Sequence, residues 1–192
     1  SLYQLTIEEG TKFFTDYKKG LLSEIDNDYA ADFYEISNEI LKEHHFSRYE
    51  VSNYAKKGFD CKHNLNYWKS DNWIGIGPGA YGRLWSSKYD LTRIEFQNYK
   101  NPKTWLIKNS YNSIFERIVF INKKNSDIDL LSMGLRLSNG IEIDKLSDIS
   151  IIKTNKFEEL ISKGVLKLKN GKLKVNKQYI IKLNSVINYL IN

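Results

Sequence analysis

The sequence predicts an α/β protein in two parts, a parallel sheet with helices in residues 1–122 and a small α+β domain in residues 123–192. Two observations predict this class. Within residues 1–55 an apolar run, a helical stretch and a second strand-like run follow one another, which is the order of a βαβ unit. Towards the C-terminus a helix, a hairpin and a further helix follow one another, which is the order of a winged-helix domain.

The first part begins with a predicted strand over residues 2–7, which are apolar on both faces, as in a buried parallel strand. A polar connection leads to a helix over residues 28–44, where apolar side chains recur at helical spacing behind an Asp-rich cap at residues 26–28. Residues 47–55 form the second predicted strand. A third strand over residues 73–82 breaks into glycines.

The ligand of a parallel sheet lies beyond the carboxyl ends of its strands. We therefore expect Asn53 and the segment 75–82 at such an end. The following residues, 86–122, contain short aromatic-rich pieces and are predicted to be crossing segments between the two parts.

The second part begins with the helical stretch SDIDLLSMGLRLSNG, for which Ser126 and Asp127 are predicted caps and Gly140 is the predicted end. A short helix ended by Gly164 follows. An Asn-Gly pair then predicts a type I′ turn between two strands, and a last helix starts at Asn176.

The composition indicates a globular protein, with 41% hydrophobic and 27% charged residues among 192. No apolar run approaches the roughly 20 residues that cross a bilayer. A single cysteine, Cys61, excludes an internal disulfide and fits a reducing compartment, so a cytoplasmic location is predicted. The chain opens on a strand-like run without Met, and we expect it to be the C-terminal part of a longer protein.

The net charge of +6 is concentrated in residues 151–192, which carry nine Lys and two Glu. One interpretation is a nucleic-acid or other anionic partner. The other is the codon bias of an AT-rich genome, and it is favoured because only five of the 29 basic residues are Arg.

The string CKHNLNYW, residues 61–68, holds the cysteine and one of three histidines. The spacing of Cys61 and His63 suits no common zinc site, and no other Cys or His pair completes four ligands. Two interpretations stay open. His63 could bind iron while Tyr67 and Trp68 stack on a porphyrin, or the string could be a capped turn with its aromatic side chains in the core.

The string GIGPGAYG, residues 75–82, lacks the spacing of a dinucleotide fingerprint and the Lys-Ser/Thr of a P-loop. Its glycines permit close approach of a flat ligand to the backbone, and they equally suit a bulged edge of a sheet.

The two strings, the run YQLTIEEGT before them and the winged-helix pattern after them together resemble the C-terminal half of the oxygen-independent coproporphyrinogen III oxidase-like radical SAM family. The match is strongest to its heme-chaperone branch, known as HemW. The resemblance implies the C-terminal part of a partial (β/α)6 barrel followed by a winged-helix-like domain. The whole family protein carries a [4Fe–4S] cluster on a CxxxCxxC loop and binds S-adenosylmethionine.

The resemblance also implies roles for individual residues. The H-N-x-x-Y-W motif, here His63, Asn64, Tyr67 and Trp68, implies heme contact, with His63 as ligand of the heme iron. Contacts to the adenosine side of S-adenosylmethionine are implied for Gln4, Thr6, Gly77 and Tyr81. Tyr81 stands where family members usually have His. The cluster loop is lacking here, so the chain alone is not expected to cleave S-adenosylmethionine.

The function predicted from the resemblance is heme binding and delivery. The predicted partners are heme, heme-acceptor proteins, the missing N-terminal barrel half and a second copy in a homodimer. The alternatives are coproporphyrinogen oxidase activity of the complete protein, a remnant of a split gene, and a winged helix that binds nucleic acid or protein. The last would use lysines of the wing, namely Lys167, Lys169, Lys172 and Lys174. Nucleic acid is not expected, because these lysines are predicted to be spread over both wing faces and residues 151–192 contain no Arg.

Overall fold

The computed structural model describes residues 1–86, 92–109 and 114–191. The chain folds into two compact units, Ser1–Asp60 and Cys61–Asn192. The boundary predicted between residues 122 and 123 lies within the second unit. The division into parts 1–122 and 123–192 stays a prediction.

The first unit contains two helices, α1 at Lys12–Lys18 and α2 at Asn27–Glu43, and a pair of two-residue strands, β1 at Ser47–Arg48 and β2 at Tyr54–Ala55. The helix predicted over residues 28–44 is confirmed as α2. Its N-cap is Asp26, whose carboxylate accepts a 2.9 Å hydrogen bond from the backbone N–H of Asp28. Helix α1 was not predicted, since its residues were assigned to the polar connection.

The strand predicted over residues 2–7 is wrong, because this segment adopts no regular structure. Leu2 N–H donates to the Ser52 carbonyl at 2.9 Å, but no ladder follows. Leu2, Tyr3 and Leu5 are 48%, 72% and 63% exposed. A parallel strand requires a neighbour along its whole length, and in this unit β1 and β2 pair antiparallel with each other. The single strand predicted over residues 47–55 is likewise wrong.

The second unit alternates helices and antiparallel strands. Its elements are α3 Lys62–Trp68, β3 Tyr81–Ser86, β4 Thr92–Asn98, α4 Pro102–Asn109, β5 Phe115–Ile121, α5 Lys123–Gly134, β6 Ile141–Glu142, α6 Asn155–Ser162, β7 Leu166–Lys169, β8 Lys172–Val175 and α7 Leu183–Ile191. Strands β3, β4 and β5 form one antiparallel sheet in chain order. The crossing segments predicted over residues 86–122 are therefore wrong where the structure describes them.

The third predicted strand, over residues 73–82, is replaced by a loop. Trp73 forms an isolated antiparallel bridge with Arg83, with 2.9 Å hydrogen bonds in both directions, so the chain turns back on itself through the glycines. The regular strand β3 begins only at Tyr81. Since all strand pairs in the described part of the chain are antiparallel, the parallel sheet is not formed here.

The C-terminal hairpin agrees with its prediction. Asn170 and Gly171 have φ values of 52° and 71°, the positive pair that a type I′ turn requires. Strand β8 lies between β7 and β6 in a three-stranded sheet. Helix α6 ends before Gly164 at φ 68°, and Asn176 precedes a 3-10 helix that leads into α7. The core packs around Phe157, Leu166 and Leu173, each at most 1% exposed.

Helix α5 begins earlier than predicted and has a different cap. The side chain of Asn122 accepts a 2.8 Å hydrogen bond from Asn125 N–H. Ser126 and Asp127, the predicted caps, lie inside the helix and are 1% exposed. Asp127 instead accepts hydrogen bonds from the loop that follows β6. The helix ends at Gly134 and not at Gly140, which is the predicted end.

The four lysines of the hairpin lie on one face, which corrects the expectation that they occupy both. Lys167 pairs across the ladder with Lys174, and Lys169 pairs with Lys172. Since side chains alternate along a strand, all four project to the same side. Leu166, Leu168, Leu173 and Val175 line the opposite side.

The mixed helix and strand content confirms the α/β class in its general sense. None of the described helices is long and apolar enough to cross a bilayer.

Candidate functional site

The string CKHNLNYW forms a short helix, α3, and not the loop expected from the sequence. Cys61 is its N-cap residue and is exposed, without a side-chain capping hydrogen bond. The helix ends in a Schellman motif, in which Ser70 N–H donates to the Tyr67 carbonyl at 3.0 Å and Asp71 N–H donates to the Asn66 carbonyl at 3.1 Å. This ending fixes the last turn of α3.

The structure brings His63 and Tyr67 together on one face of α3. They are four residues apart, so they stand one above the other on adjacent turns. The Tyr67 hydroxyl and His63 Nε2 are joined by a 3.0 Å hydrogen bond, and the rings meet edge to face with centroids 4.7 Å apart. The Tyr67 ring also contacts Trp73, at 4.9 Å between centroids. His63 is exposed, so its imidazole is accessible from solvent.

Asn64 and Trp68 occupy a different stripe of α3, rotated by about 100° from His63 and Tyr67. The Trp68 ring faces the guanidinium of Arg136, which lies 5.9 Å from the ring centroid. Burial beside Trp68 lowers the pKa of Arg136. The structure therefore groups His63 and Tyr67 with Trp73, while Trp68 packs towards α5.

The turn after α3 is anchored to the sheet through Asn72. The Asn66 side-chain amide donates to the Asn72 carbonyl at 2.9 Å, and Asn72 Oδ1 accepts from Trp85 N–H at 2.6 Å. The Trp85 indole N–H donates to the Ser70 carbonyl at 3.0 Å. These bonds hold the helix against β3.

The glycine-rich string forms a loop held by Asn98, whose side-chain amide donates to the Gly77 carbonyl at 2.8 Å. Gly77 has φ 104°, a conformation that disfavours other residues. At Gly75 an added Cβ would overlap the Tyr81 carbonyl. Tyr81 itself is 44% exposed at the start of β3. Close packing thus accounts for Gly75 and a positive φ accounts for Gly77, without a phosphate ligand.

The other residues with a predicted S-adenosylmethionine contact, Gln4 and Thr6, lie in the irregular N-terminal segment of the first unit. Gln4 lines a cavity of about 530 Å³ within that unit, together with the side chains of α2 that include Phe33 and Tyr34. Burial and the neighbouring Tyr34 raise the pKa of Tyr54, which also lines this cavity, to about 12.

The first unit contains two buried polar residues, of which Asn53 but not Glu50 was singled out from the sequence. Glu50 is fully buried, and one of its carboxylate oxygens has no partner. Asn53, which was expected near a strand end, is 6% exposed and hydrogen-bonds the hydroxyls of Ser1 and Tyr3. A charged residue within the strand-like run RYEVSNYA was the signal available for Glu50.

A charged cluster lies on the face of β3 and β4 that α5 covers. Arg83 contacts the Glu95 carboxylate at 2.6 Å and the Asp129 carboxylate at 3.2 Å. Arg93, opposite Trp85 in the ladder, is 1% exposed, and burial lowers its pKa to about 10. The group is still a cation at neutral pH.

Comparison with known proteins supports the resemblance. No family model matches the chain. Mouse radical S-adenosyl methionine domain-containing protein 1, mitochondrial, is 31% identical over 197 residues, which cover 97% of this chain and 45% of that protein. The heme chaperone HemW of Lactococcus lactis is 32% identical over 92% of this chain and 44% of its own length. HemW of Haemophilus influenzae is 42% identical over 55% of this chain and 26% of its own.

The chain is homologous to the HemW proteins. Its fold resembles the solved structure of the radical SAM enzyme coproporphyrinogen III oxidase (HemN) from Escherichia coli, with a TM-score of 0.56 over 83% of this chain and 40% of that one, at 9% identity. The predicted family and the α/β class are thereby confirmed. The chain spans less than half the length of the HemW relatives that it matches.

Proposed function

We propose that this chain is the heme-handling part of a HemW-like heme chaperone, with His63 as axial ligand of the heme iron. The observation that carries the proposal is the exposed imidazole of His63 held by Tyr67 on a fixed helix. Two of the HemW relatives share 32% and 42% identity with the chain and bear the name heme chaperone.

The residues of α3 fit a heme. An imidazole nitrogen is a common axial ligand of heme iron, and aromatic rings at its side offer apolar contact to a flat macrocycle. Tyr67 is placed for such contact beside His63. In the proposal Asn64 and Trp68 line the porphyrin less directly, since they belong to the adjacent stripe of the helix. The heme would be the cargo that the protein delivers to acceptor proteins.

The residues of this chain do not fit a [4Fe–4S] cluster. Such a cluster needs cysteine thiolates, and the chain has one cysteine. We propose that the cluster and most of the S-adenosylmethionine site belong to the remaining part of a complete protein. Gln4, Thr6, Gly77 and Tyr81 would then contribute contacts on the adenosine side. Oxidase activity is the alternative for the complete protein and requires the same cluster.

The missing N-terminal barrel half is the proposed partner of the first unit. Helix α2 carries an exposed apolar stripe made of Tyr29, Phe33, Ile36 and Ile40, which are 66%, 62%, 52% and 51% exposed. A stripe of this kind normally faces a core. A covering barrel half accounts for it.

Titration with hemin tests the proposal. We expect a saturable Soret shift in the wild-type chain and its loss in His63→Ala. The matched control is His44→Ala, since His44 is an exposed histidine at the end of α2. Equal binding by His63→Ala and the wild type would refute His63 as the ligand. A transfer assay to an apo heme protein would then test delivery.

A second candidate function, binding of nucleic acid by the hairpin, is favoured by its lysine face. Lys167, Lys169 and Lys174 project together, while Lys172 forms a 3.4 Å ion pair with Glu142. Phosphate contacts by these lysines predict a steep loss of duplex DNA affinity between about 50 and 200 mM salt. An affinity that hardly changes over this range would exclude the lysine face as a phosphate-binding surface.

The homodimer, the identity of the acceptor proteins and the cytoplasmic location stay predictions. Several relatives, the mouse protein among them, bear the name mitochondrial.

A further inference from the structure

A small cavity lies where the end of α3 meets β3 and α5. Its volume is about 260 Å³, and its lining residues are Lys69, Ser70, Asp71, Trp85, Leu130 and Lys145. It is thus smaller than the cavities of roughly 300 Å³ and more that take drug-sized ligands. The lining residues carry one apolar side chain, one indole, two ammonium groups, one hydroxyl and one carboxylate.

Ser70 contributes a buried hydroxyl that has no hydrogen-bonding partner. The residue is 2% exposed and lines the cavity. It is also the C′ residue of the Schellman motif, with φ 54°, a position that glycine normally occupies. A serine there is conformationally unfavourable and leaves a buried polar group unsatisfied, and a ligand in the cavity would give the hydroxyl a partner.

Arg93 lies behind the indole of Trp85, with its guanidinium carbon 5.5 Å from the ring centroid. The residue is 1% exposed, and its Nε and Nη1 atoms have no hydrogen-bonding partner. Buried polar groups of this kind are normally hydrogen-bonded. The cavity wall is therefore backed by a guanidinium with unsatisfied N–H groups, whose charge is compensated in part by Asp129 and Glu95.

The carboxylates near this cavity are already engaged by other cations. Glu95 and Asp129 both bind Arg83. The Asp71 carboxylate forms an ion pair with the ammonium group of Lys145 at 3.0 Å.

The charges around the cavity do not balance among the described residues. The lining contains two cations, Lys69 and Lys145, and one carboxylate, Asp71. The excess is one positive charge. A monoanion matches this excess, whereas a doubly charged phosphate would exceed it.

We propose that this cavity binds a carboxylate group carried by a small apolar body, with Ser70 and Lys145 contacting the carboxylate and Leu130 and Trp85 contacting the body. The site is distinct from His63 and does not depend on heme binding there. The carboxylate could belong to a free short-chain acid or to a propionate of heme, and the experiment below distinguishes these sources.

The test is a titration of the intact chain with propionate, followed by the NMR resonance of the Trp85 indole N–H. We expect a saturable shift, because this group donates to the carbonyl of Ser70 at the cavity wall. The variants Ser70→Gly and Lys145→Met should each raise the Kd about tenfold, the usual effect of losing a hydrogen bond to a charged group. The matched control is Lys153→Met, since Lys153 is an exposed lysine away from the cavity.

Ser70→Gly separates binding from folding. Because glycine tolerates a positive φ, this variant should unfold at higher denaturant concentration than the wild type while binding propionate more weakly. If Ser70→Gly binds propionate with the same affinity as the wild type, the role of the hydroxyl is refuted. A wild-type chain without a saturable shift would refute the site, and tighter binding of inorganic phosphate would refute the carboxylate class.

A comparison of hemin with hemin dimethyl ester, which lacks free carboxylates, identifies the source. If wild-type chain prefers hemin and Lys145→Met loses that preference, the carboxylate belongs to heme. If both bind equally while propionate still shifts Trp85, the ligand is a free short-chain acid. Both results support the cavity as a carboxylate site.

Discussion

The hydroxyl of Tyr67 lies 3.0 Å from Nε2 of His63, on adjacent turns of the same short helix. The phenol therefore occupies one of the two nitrogens through which an imidazole can bind iron. A heme that used Nε2 would have to displace this hydrogen bond, so in the proposed site the same tyrosine would both orient the histidine and compete with the iron.

This competition predicts the effect of Tyr67→Phe. The variant keeps the aromatic ring and removes only the hydroxyl, so hemin affinity should increase by roughly two- to tenfold, the range set by the net value of one hydrogen bond. Soret titration measures the change, with Tyr29→Phe, an exposed tyrosine of α2, as control. Weaker binding by Tyr67→Phe would mean that the hydroxyl holds heme instead of competing with it.

Asp127 predicts a stability effect far from the heme site. Its buried carboxylate accepts hydrogen bonds from Ser147 N–H at 2.9 Å, from Ser147 Oγ at 2.7 Å and from Asp148 N–H at 3.0 Å. Asp127→Ala should lower the free energy of unfolding by roughly 2–4 kcal/mol, and Asp127→Asn by about half of that.

Urea unfolding measures the effect of the Asp127 variants. The control is Asp144→Asn, an exposed aspartate that should change stability by less than about 0.5 kcal/mol. An effect of Asp127→Ala as small as that of Asp144→Asn would show that the three hydrogen bonds contribute nothing.

Gly140 and Gly164 form a matched pair of glycines, both with φ 68°. At Gly164 an added Cβ meets no atom within 4 Å, whereas at Gly140 it would overlap the Leu173 carbonyl. Gly164→Ala should therefore cost about 1–2 kcal/mol from the backbone conformation alone, and Gly140→Ala clearly more. Comparison of their unfolding midpoints isolates the steric contribution, and equal midpoints would contradict it.

The contact between α6 and α7 predicts a pH dependence of stability. Hydrogen bonds from Lys163 and Tyr189 hold the pKa of Glu159 below its usual value of 4.5. A lowered folded-state pKa adds stability that is fully present above the unfolded value and is lost as the pH falls through the folded value. The stability advantage of the wild type over Glu159→Gln should be constant above about pH 6 and shrink below about pH 4.5.

Thermal unfolding at several pH values tests the role of Glu159. The control is Glu116→Gln, which removes an exposed carboxylate of β5. If the wild type is still more stable than Glu159→Gln by the same amount at pH 3, the stability advantage does not come from the ionised carboxylate.

Local signals explain which elements could be predicted from the sequence. Helix α2, the turn at Asn170 and the helix end at Gly164 depend on spacing, caps and backbone preference within a few residues. The family motif at His63 was also found in this way, although its helical conformation was not.

The remaining errors concern contacts between distant residues. An apolar run such as residues 2–7 does not reveal whether a neighbouring strand is present to pair with it. The sheet of β3 and β4 was missed because Arg83, Arg93 and Glu95 occupy the face that α5 covers, where apolar side chains are expected. A serine in the place of the usual glycine at residue 70 hid the end of α3.

The double anchoring of Asn72 has a consequence for amide hydrogen exchange. Its carbonyl holds Asn66 of α3, and its side chain holds Trp85 of β3. Opening of either bond exposes the other, so the protected amides of the helix end and of the strand should exchange with deuterium as one cooperative group. Any cargo that stiffens the helix would then slow exchange within the sheet as well, and the strand would report occupancy of the helix.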